Sequence, residues 1–227
     1  MGKEILKMEN VTYYYPAKSG NVEILENVDY CFETGKLYTV MGPSGSGKTT
    51  TLSLLEGLDV PKEGKVLFEG KDISQINGNL YRGQHIGIIF QSYNLFPYLN
   101  ARENVEVSME ISGKREKKKE KACELLRKMG LKEEQYGRGI EQLSGGEQQR
   151  VAIARALATD AQVILADEPT GNLDKDTAEE IRDLFADIAH ELGKCVIVVT
   201  HSQAFSQKAD VVVELEGKRL KAVQVRG

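Results

Sequence analysis

The feature that most constrains the fold is a glycine-rich stretch between an apolar run and a helical pattern. Residues 37–41 form a short apolar run of the kind found in buried strands, and residues 49–58 carry leucines at helical spacing. The stretch between them fits the pattern G-x-x-x-x-G-K-[ST], with Gly42, Pro43, Ser44, Gly45, Ser46, Gly47, Lys48 and Thr49. A strand that runs through such a loop into a helix predicts an α/β fold.

This loop predicts a binding site for nucleotide phosphates. Glycines allow backbone N–H groups to turn towards phosphate oxygens, and the N-terminus of the following helix attracts anions. We therefore expect Lys48 to contact the β- and γ-phosphates and the Thr49 hydroxyl to bind Mg²⁺. Thr50, in the same helical turn, is included in the predicted nucleotide site.

Strand and helix patterns alternate through the rest of the chain. Residues 4–41 are rich in strand patterns, and short apolar runs predict further strands at residues 86–90, 163–166 and 196–199. Residues 101–158 carry apolar side chains at helical spacing, and an apolar stripe predicts a long helix over residues 178–192. This order predicts a mostly parallel sheet with right-handed crossovers and a helical block inserted between two of its strands.

Two carboxylates follow the apolar run at residues 163–166. The carboxyl end of a buried strand is where open α/β sheets bind ligands. We therefore expect Asp167 to bind Mg²⁺ through water, opposite Thr49. Glu168 is the next residue and points another way, so we expect it to orient or activate the attacking water.

Composition argues against two classes of protein. The 227 residues carry 30 Lys and Arg against 34 Asp and Glu, and a formal net charge of −4 does not suit a protein that coats nucleic acid. No apolar run reaches the roughly 18 residues that cross a bilayer. Cys31, Cys123 and Cys195 lack the spacing of a metal site, and we interpret them as reduced thiols.

A second motif consists of Leu143, Ser144, Gly145, Gly146 and Glu147, and it precedes a helical pattern that starts near Glu147. Small residues allow close approach of the backbone and a helix N-terminus attracts anions, so the motif predicts a second phosphate clamp. It resembles the ATP-binding cassette signature. Over essentially its whole length, the chain resembles the nucleotide-binding subunit of an ABC transporter.

The resemblance implies a P-loop NTPase fold in a single nucleotide-binding domain over residues 1–227. A RecA-like core with a mostly parallel sheet, together with an antiparallel β subdomain, is expected in residues 1–91 and 163–227. A helical subdomain is expected at about residues 92–162.

The resemblance also implies roles for three further segments. Gln91, at the end of the strand at residues 86–90, is similar to the Q-loop glutamine, which contacts nucleotide and metal. Residues 172–174 resemble the D-loop, so Asp174 is included in the expected nucleotide site. His201 resembles the switch histidine, and with Lys48 and Glu168 it completes the expected catalytic set.

One role stays open and two residues depart from the family pattern. Tyr15 resembles the aromatic residue that stacks on adenine, with Tyr13 and Tyr14 as rivals. Glu147 stands where many relatives have glutamine, although a helix N-terminus tolerates an acid. Glu56 places a charge after the first helix, where we expect a small or apolar residue.

The partners are implied by the resemblance alone. ATP and Mg²⁺ are expected between two copies of the chain in head-to-tail order, with the Ser144 motif of each copy completing the site of the other. Integral membrane permease subunits are the second expected partner, and no nucleic acid is expected. The chain is then expected at the cytoplasmic face of the membrane, held there by the membrane subunits.

Residues 94–105 and 166–174 are most similar to the branch that serves macrolide and peptide export, lipoprotein release and antimicrobial-peptide resistance. The implied function is ATP hydrolysis that powers a separate membrane subunit, which exports or extracts a peptide, lipoprotein or drug-like substrate. The alternative is an ATPase that signals through a membrane protein to cell-wall or division machinery. The chain lacks the long coiled-coil or zinc insertion of DNA-repair ATPases and the second cassette of translation-associated ones.

The densest charge run lies at residues 113–121. A solvated helix face is the ordinary interpretation of such a run. Contact with anionic lipid headgroups beside a docked membrane partner is the alternative.

Overall fold

The computed structural model describes residues 2–18, 20–114 and 116–225. Met1, Ser19, Arg115, Arg226 and Gly227 lie outside the described residues, so the charge run at residues 113–121 is described except at Arg115. The strands are β1 (Glu4–Ala17), β2 (Gly20–Glu33), β3 (Lys36–Met41), β4 (Glu63–Phe68), β5 (Lys71–Asp72), β6 (Ile86–Ile89), β7 (Val163–Asp167), β8 (Cys195–Val199), β9 (Val211–Glu216) and β10 (Arg219–Val225).

Helices occupy the segments between these strands, and several begin at a side chain that caps them. Asn100 accepts a hydrogen bond from the backbone N–H of Glu103 at 2.9 Å, and the Glu103 carboxylate accepts one from the Asn100 N–H at 2.9 Å. The helices are α1 (Lys48–Leu55), α2 (Gly78–Gln84), α3 (Ala101–Ile111), α4 (Lys118–Lys128), α5 (Gly145–Leu157), α6 (Lys175–His190) and α7 (Gln203–Ser206).

The strands form two sheets. The smaller is antiparallel with the order β2-β1-β4-β5, and the larger has the order β10-β9-β3-β8-β7-β6. In the larger sheet β3, β6, β7, β8 and β9 run parallel to one another, and β10 pairs antiparallel with β9 at the edge. This arrangement confirms the predicted α/β fold with a mostly parallel core sheet and an additional antiparallel sheet.

The larger sheet separates two hydrophobic cores, because successive side chains of a strand point to opposite faces. In β7, Ile164 and Ala166 join the core formed with α3, α4, α5 and α6, whereas Val163 and Leu165 join the core shared with α1 and the antiparallel sheet. All four residues are fully buried. The helices α3, α4 and α5 lie between β6 and β7 in the chain, where the sequence predicts an inserted helical block.

The first helix is shorter than predicted. It ends at Leu55 and does not reach Leu58, because Gly57 adopts a left-handed conformation with φ +68° that stops the helix. Leu58 is consequently 57% exposed and lies outside the core. The sequence interpretation also missed α2, α7, β9 and β10.

We find no helix within residues 2–18, 20–114 and 116–225 that combines the length and the apolar character needed to span a membrane.

Candidate functional site

The predicted phosphate loop joins the carboxyl end of β3 to the N-terminus of α1, which begins at Lys48. Gly47 has φ +105°, a conformation that favours glycine. A Cβ atom there would lie 2.3 Å from Cγ2 of Ile24, so a side chain cannot be added without displacing the Ile24 side chain. The sequence therefore needs glycine at this position to bring the backbone into the loop that precedes α1.

Two side chains of the loop are suited to a phosphate. Ser46 Oγ is buried and has no hydrogen-bond partner among the residues that the structure describes, a costly state for a polar atom unless a ligand satisfies it. The Lys48 ammonium donates to the carbonyl oxygens of Gly42 at 2.9 Å and Pro43 at 3.0 Å, which places its charge across the loop. The unpaired hydroxyl and the adjacent ammonium fit a nucleotide phosphate at this loop.

Asp167 and Glu168 lie within electrostatic reach of Lys48. Burial lowers the pKa of Lys48, and the Glu168 and Asp167 carboxylates oppose that shift. Burial raises the pKa of Asp167, the Glu168 carboxylate raises it further, and Lys48 and His201 oppose the rise. The structure therefore brings one cation and two carboxylates together at the carboxyl end of the sheet.

The Glu168 carboxylate is held by the segment that follows β8. Thr200 Oγ1 donates to Glu168 Oε2 at 2.8 Å, and the His201 backbone N–H donates to Oε1 at 3.0 Å. The His201 imidazole Nε2 lies 3.8 Å from the same Oε1. Glu168 has φ +44°, an uncommon conformation for a residue other than glycine, and its fixed partners keep the carboxylate in place.

The resemblance did not assign Thr200. It follows β8 directly, and its buried hydroxyl also accepts a hydrogen bond from the Ser202 N–H at 3.0 Å. A threonine next to the predicted switch histidine was the available signal, because a hydroxyl can donate to a carboxylate.

Gln91 lies beside the loop that follows Glu168. The Asn172 side-chain amide donates to the Gln91 carbonyl at 3.2 Å, and a Cβ on Gly171 would lie 3.0 Å from the Gln91 amide nitrogen. Asp174 caps α6 by accepting from the Thr177 N–H at 3.1 Å. The structure therefore joins the Q-loop and D-loop segments to each other, and it gives Asp174 a structural role at the start of α6.

The second predicted motif forms the N-terminus of α5. The helix begins at Gly145, two residues before Glu147, near which the sequence predicts its start, and Ser144 is its N-cap. Ser144 Oγ accepts from the Glu147 N–H at 3.3 Å, and Glu147 Oε2 accepts from the Ser144 N–H at 2.7 Å. Gln135 Nε2 donates to the other carboxylate oxygen of Glu147. This capping box explains how the acid is accommodated at this position.

The three tyrosines proposed for adenine differ in exposure. Tyr13 is buried, with 5% of its surface exposed, whereas Tyr15 is 44% exposed. Tyr15 Oη and Thr50 Oγ1 are 3.3 Å apart and share a hydrogen bond, so Tyr15 lies against the first turn of α1. Tyr14 lies near the ammonium of Lys62, which is 5.8 Å from the ring centroid. Exposure and proximity to α1 favour Tyr15.

The donors available to a divalent cation are few. Thr49 is exposed at the start of α1, and Asp167 is half-buried at the end of β7. Within residues 2–18, 20–114 and 116–225, no three His, Cys, Asp or Glu side chains are grouped as a metal site. The donors Thr49, Gln91 and Asp167 offer hard oxygen atoms, the kind that Mg²⁺ prefers when substrate phosphates supply further ligands.

Glu56 is the most unusual charged residue near the site. The sequence predicts a small or apolar residue at this position, and Glu56 is indeed buried at the C-cap of α1, with 5% of its surface exposed. Burial raises its pKa to about 7, the Asp167 carboxylate adds to the rise, and Arg82 opposes it.

Replacing Glu56 with glutamine is expected to stabilise the protein, and more strongly at pH 8 than at pH 5. The pKa of Glu56 is raised on folding, so the free energy of unfolding is highest below pH 4.5, where Glu56 is protonated in both states. It falls as the pH rises through about 7, because the folded protein must then bury a carboxylate. The shift from 4.5 to about 7 corresponds to about 3 kcal/mol as an upper limit. Urea unfolding at both pH values measures the difference. The same substitution at exposed Glu63 is the control, and an equal response of both variants would contradict the assignment.

Taken together, the glycine loop, Lys48 and the paired carboxylates define an ATPase of the phosphate-loop class. A family model described as ABC transporter matches residues 25–171. The ABC transporter ATP-binding protein YclH of Bacillus subtilis is 47% identical over 93% of each chain. The lipoprotein-releasing system ATP-binding protein LolD of Coxiella burnetii is 39% identical over 98% of this chain and 97% of its own length.

A solved structure is similar over the whole fold. It is the ATP-binding cassette MJ0796 as a dimer in a post-hydrolysis state bound to ADP and Pi, with 36% identity, a TM-score of 0.87 and coverage of 98% of this chain and 100% of that one. The chain belongs to the ABC transporter family. It is an ATP-binding, ATP-hydrolysing subunit of a transporter complex, with the α/β fold of the ABC ATPases.

Proposed function

We propose that two copies of this chain bind two MgATP between them and drive a membrane partner that exports or extracts its substrate. Lys48, Ser46 and the backbone of residues 42–47 hold the phosphates, and Tyr15 contacts adenine. Thr49, Gln91 and Asp167 hold Mg²⁺, which neutralises charge on the phosphates when it is bound. Glu168 orients or activates the attacking water, and His201 fixes the geometry beside it.

The main support for a site shared by two copies is that both of its parts, the phosphate loop and the Ser144 end of α5, are exposed. Ser144 is exposed at the N-terminus of α5, and residues 43–45 of the phosphate loop are exposed as well. Two cavities, of about 380 and 340 Å³, border the phosphate loop, and none of their lining residues comes from 143–147. The dimeric ADP-bound state of MJ0796 supports a second copy as the source of the missing clamp.

The second motif is fixed to its own chain by a glycine and leaves its serine available to a partner. Gly146 is buried against α6, where a Cβ would lie 2.4 Å from Thr177 Cγ2, so a larger residue would push α5 away. The Ser144 hydroxyl accepts from the Glu147 N–H and keeps its own hydrogen free for donation to a phosphate oxygen of the partner's nucleotide.

The proposal predicts complementation between two inactive variants. Lys48→Ala removes the phosphate cation, and Ser144→Asp keeps a good N-cap while it adds a negative charge that repels phosphate. A mixed dimer places both changes in one site and leaves the other intact. Mixing equal amounts is expected to restore roughly a quarter of wild-type hydrolysis, since half of the dimers are mixed and one of their two sites is complete.

The control is each variant alone, which we expect to remain inactive at the same total concentration. Mixed dimers are verified by pulling down a tagged Lys48→Ala chain with an untagged Ser144→Asp chain. If mixed dimers form and hydrolysis does not return, the two-copy site is wrong.

The export role is supported by the similarity to the lipoprotein-releasing protein LolD. Its test is purification of the tagged chain from membranes of its own organism in mild detergent. We expect a protein with membrane spans to copurify and, after reconstitution in lipid vesicles, to make ATP hydrolysis respond to an added lipoprotein, peptide or macrolide. Hydrolysis that responds to none of them, with a membrane partner present, would contradict export of these classes.

A further inference from the structure

The segment that follows Gln91 contains two adjacent residues in the left-handed conformation. Tyr93 has φ +61° and Asn94 has φ +48°, and neither is glycine. Left-handed conformations are uncommon for such residues, and two in succession persist only where surrounding contacts hold them. We refer to Tyr93 and Asn94 as the left-handed turn.

One side chain from a distant part of the chain holds this turn. The Arg155 guanidinium donates from Nη2 to the Tyr93 carbonyl at 2.9 Å and from Nη1 to the Asn94 carbonyl. Arg155 lies on α5, 61 and 62 residues away along the chain. A planar guanidinium can serve two adjacent carbonyl oxygens at once, and a lysine ammonium cannot reproduce this fork.

The turn contacts α5 at its other end as well. A Cβ on Gly145 would lie 3.0 Å from Tyr93 Oη, so the tyrosine ring lies close against the first residue of α5. Burial raises the pKa of Tyr93 and lowers that of Arg155, in keeping with two groups enclosed between the turn and the helix. The helix that carries Ser144 therefore contacts the turn near both of its ends.

We propose that Arg155 is a positioning residue, which holds the left-handed turn to α5 so that Gln91 and the Ser144 end of α5 move as one body. This inference deepens the proposed function and depends on it for the role of Gln91. Gln91 is two residues before the turn, and its carbonyl is fixed on the other side by Asn172. Release of the turn would remove this connection between Gln91 and α5, while the hydrogen bond from Asn172 would remain.

The first test is hydrogen exchange in nucleotide-free protein, so it does not depend on hydrolysis. Arg155→Lys is expected to accelerate exchange of the amides at residues 92–96 by about 10–100-fold, because bonds to a charged donor at this turn are lost. The matched control is Arg150→Lys on the same helix. Arg150 donates to the Met129 carbonyl at 2.7 Å, away from the turn, so its replacement is expected to leave exchange at residues 92–96 unchanged.

A second pair of variants tests the left-handed conformation itself. The Asn94 side chain is exposed, so Asn94→Ala and Asn94→Gly both remove the amide and differ mainly in their tolerance of positive φ. Asn94→Ala is expected to accelerate exchange at residues 92–96, and Asn94→Gly to stay close to wild type. Equal exchange in the two variants would overturn the claim that the turn is held against its preference.

The third readout separates positioning from general stability. Arg155→Lys is expected to lower kcat at least tenfold, with ATP binding close to wild type, because the phosphate loop is untouched. Arg150→Lys is expected to keep kcat even where both variants lose similar thermal stability. If Arg155→Lys shows wild-type exchange and wild-type kcat, the proposal is wrong. If exchange at residues 92–96 is fast but kcat stays at the wild-type value, Arg155 has a structural role only and the positioning claim is wrong.

Discussion

Glu168→Gln is expected to reduce ATP hydrolysis by about 10²–10⁴-fold while ATP binding is retained. The amide is nearly the same shape as the carboxylate, so its oxygen can still accept from the His201 N–H while its NH₂ group faces the Thr200 hydroxyl. It cannot take a proton from water. With hydrolysis blocked, the ATP-bound dimer is expected to accumulate and to elute as a dimer in gel filtration with MgATP.

A matched control for this variant is Glu23→Gln. Glu23 also borders a cavity at the phosphate loop, and its carboxylate pairs with Lys218 at 2.6 Å on the surface. Its replacement is expected to leave hydrolysis near the wild-type rate, since exposed ion pairs contribute little. A Glu168→Gln protein that stays monomeric with MgATP, or one that hydrolyses normally, would count against the assigned role of Glu168.

Lys48→Ala is expected to reduce hydrolysis by about 10²–10³-fold and, unlike Glu168→Gln, to weaken ATP binding as well. The ammonium now bonds to the Gly42 and Pro43 carbonyls, and it is the cation placed to exchange them for phosphate oxygens. Its removal also takes away one of the two positive groups that oppose the rise in the pKa of Asp167 beside Glu168. Fluorescent ATP-analogue titration and steady-state hydrolysis together measure both effects.

Lys218→Ala is the corresponding control, because this lysine borders the same cavity as residues 43–46 and pairs with Glu23 on the surface. We expect it to bind and hydrolyse ATP much as the wild type does. Equal losses in Lys48→Ala and Lys218→Ala would show that the effect comes from overall charge around the loop, and the specific phosphate contact would then be wrong.

Local patterns were sufficient for most of the fold. The apolar runs at β3, β7 and β8 correctly predicted parallel strands, and the glycine loop was correctly placed between β3 and α1. The errors in the predicted helices and strands have local causes. The segment of α2 begins with glycine and has little periodicity, and a single glycine at position 57 ended α1 early. The valine run of β9 was a usable strand signal that the interpretation passed over.

The site could be predicted only where a motif names its residues. The motifs locate Lys48, Asp167 and Glu168, and the structure brings these three together. The hydrogen bond from Thr200 to Glu168 joins residues 32 positions apart. The hydrogen bond from Arg155 to the Asn94 carbonyl joins residues 61 positions apart. Such contacts depend on how strands and helices pack, and the pattern of a single sequence does not contain that information.

The alternating burial of β7 has a consequence for how the sequence can change over evolutionary time. Val163 and Leu165 fill one core, while Ile164 and Ala166 fill the other, and the strand ends at Asp167, directly before Glu168. An added or lost methyl group on either side would displace the strand towards the opposite layer, because both interiors are close-packed. We therefore expect tolerated replacements in this strand to occur as volume-compensating pairs, and homologues should vary more freely at exposed Leu58 than at any of these four positions.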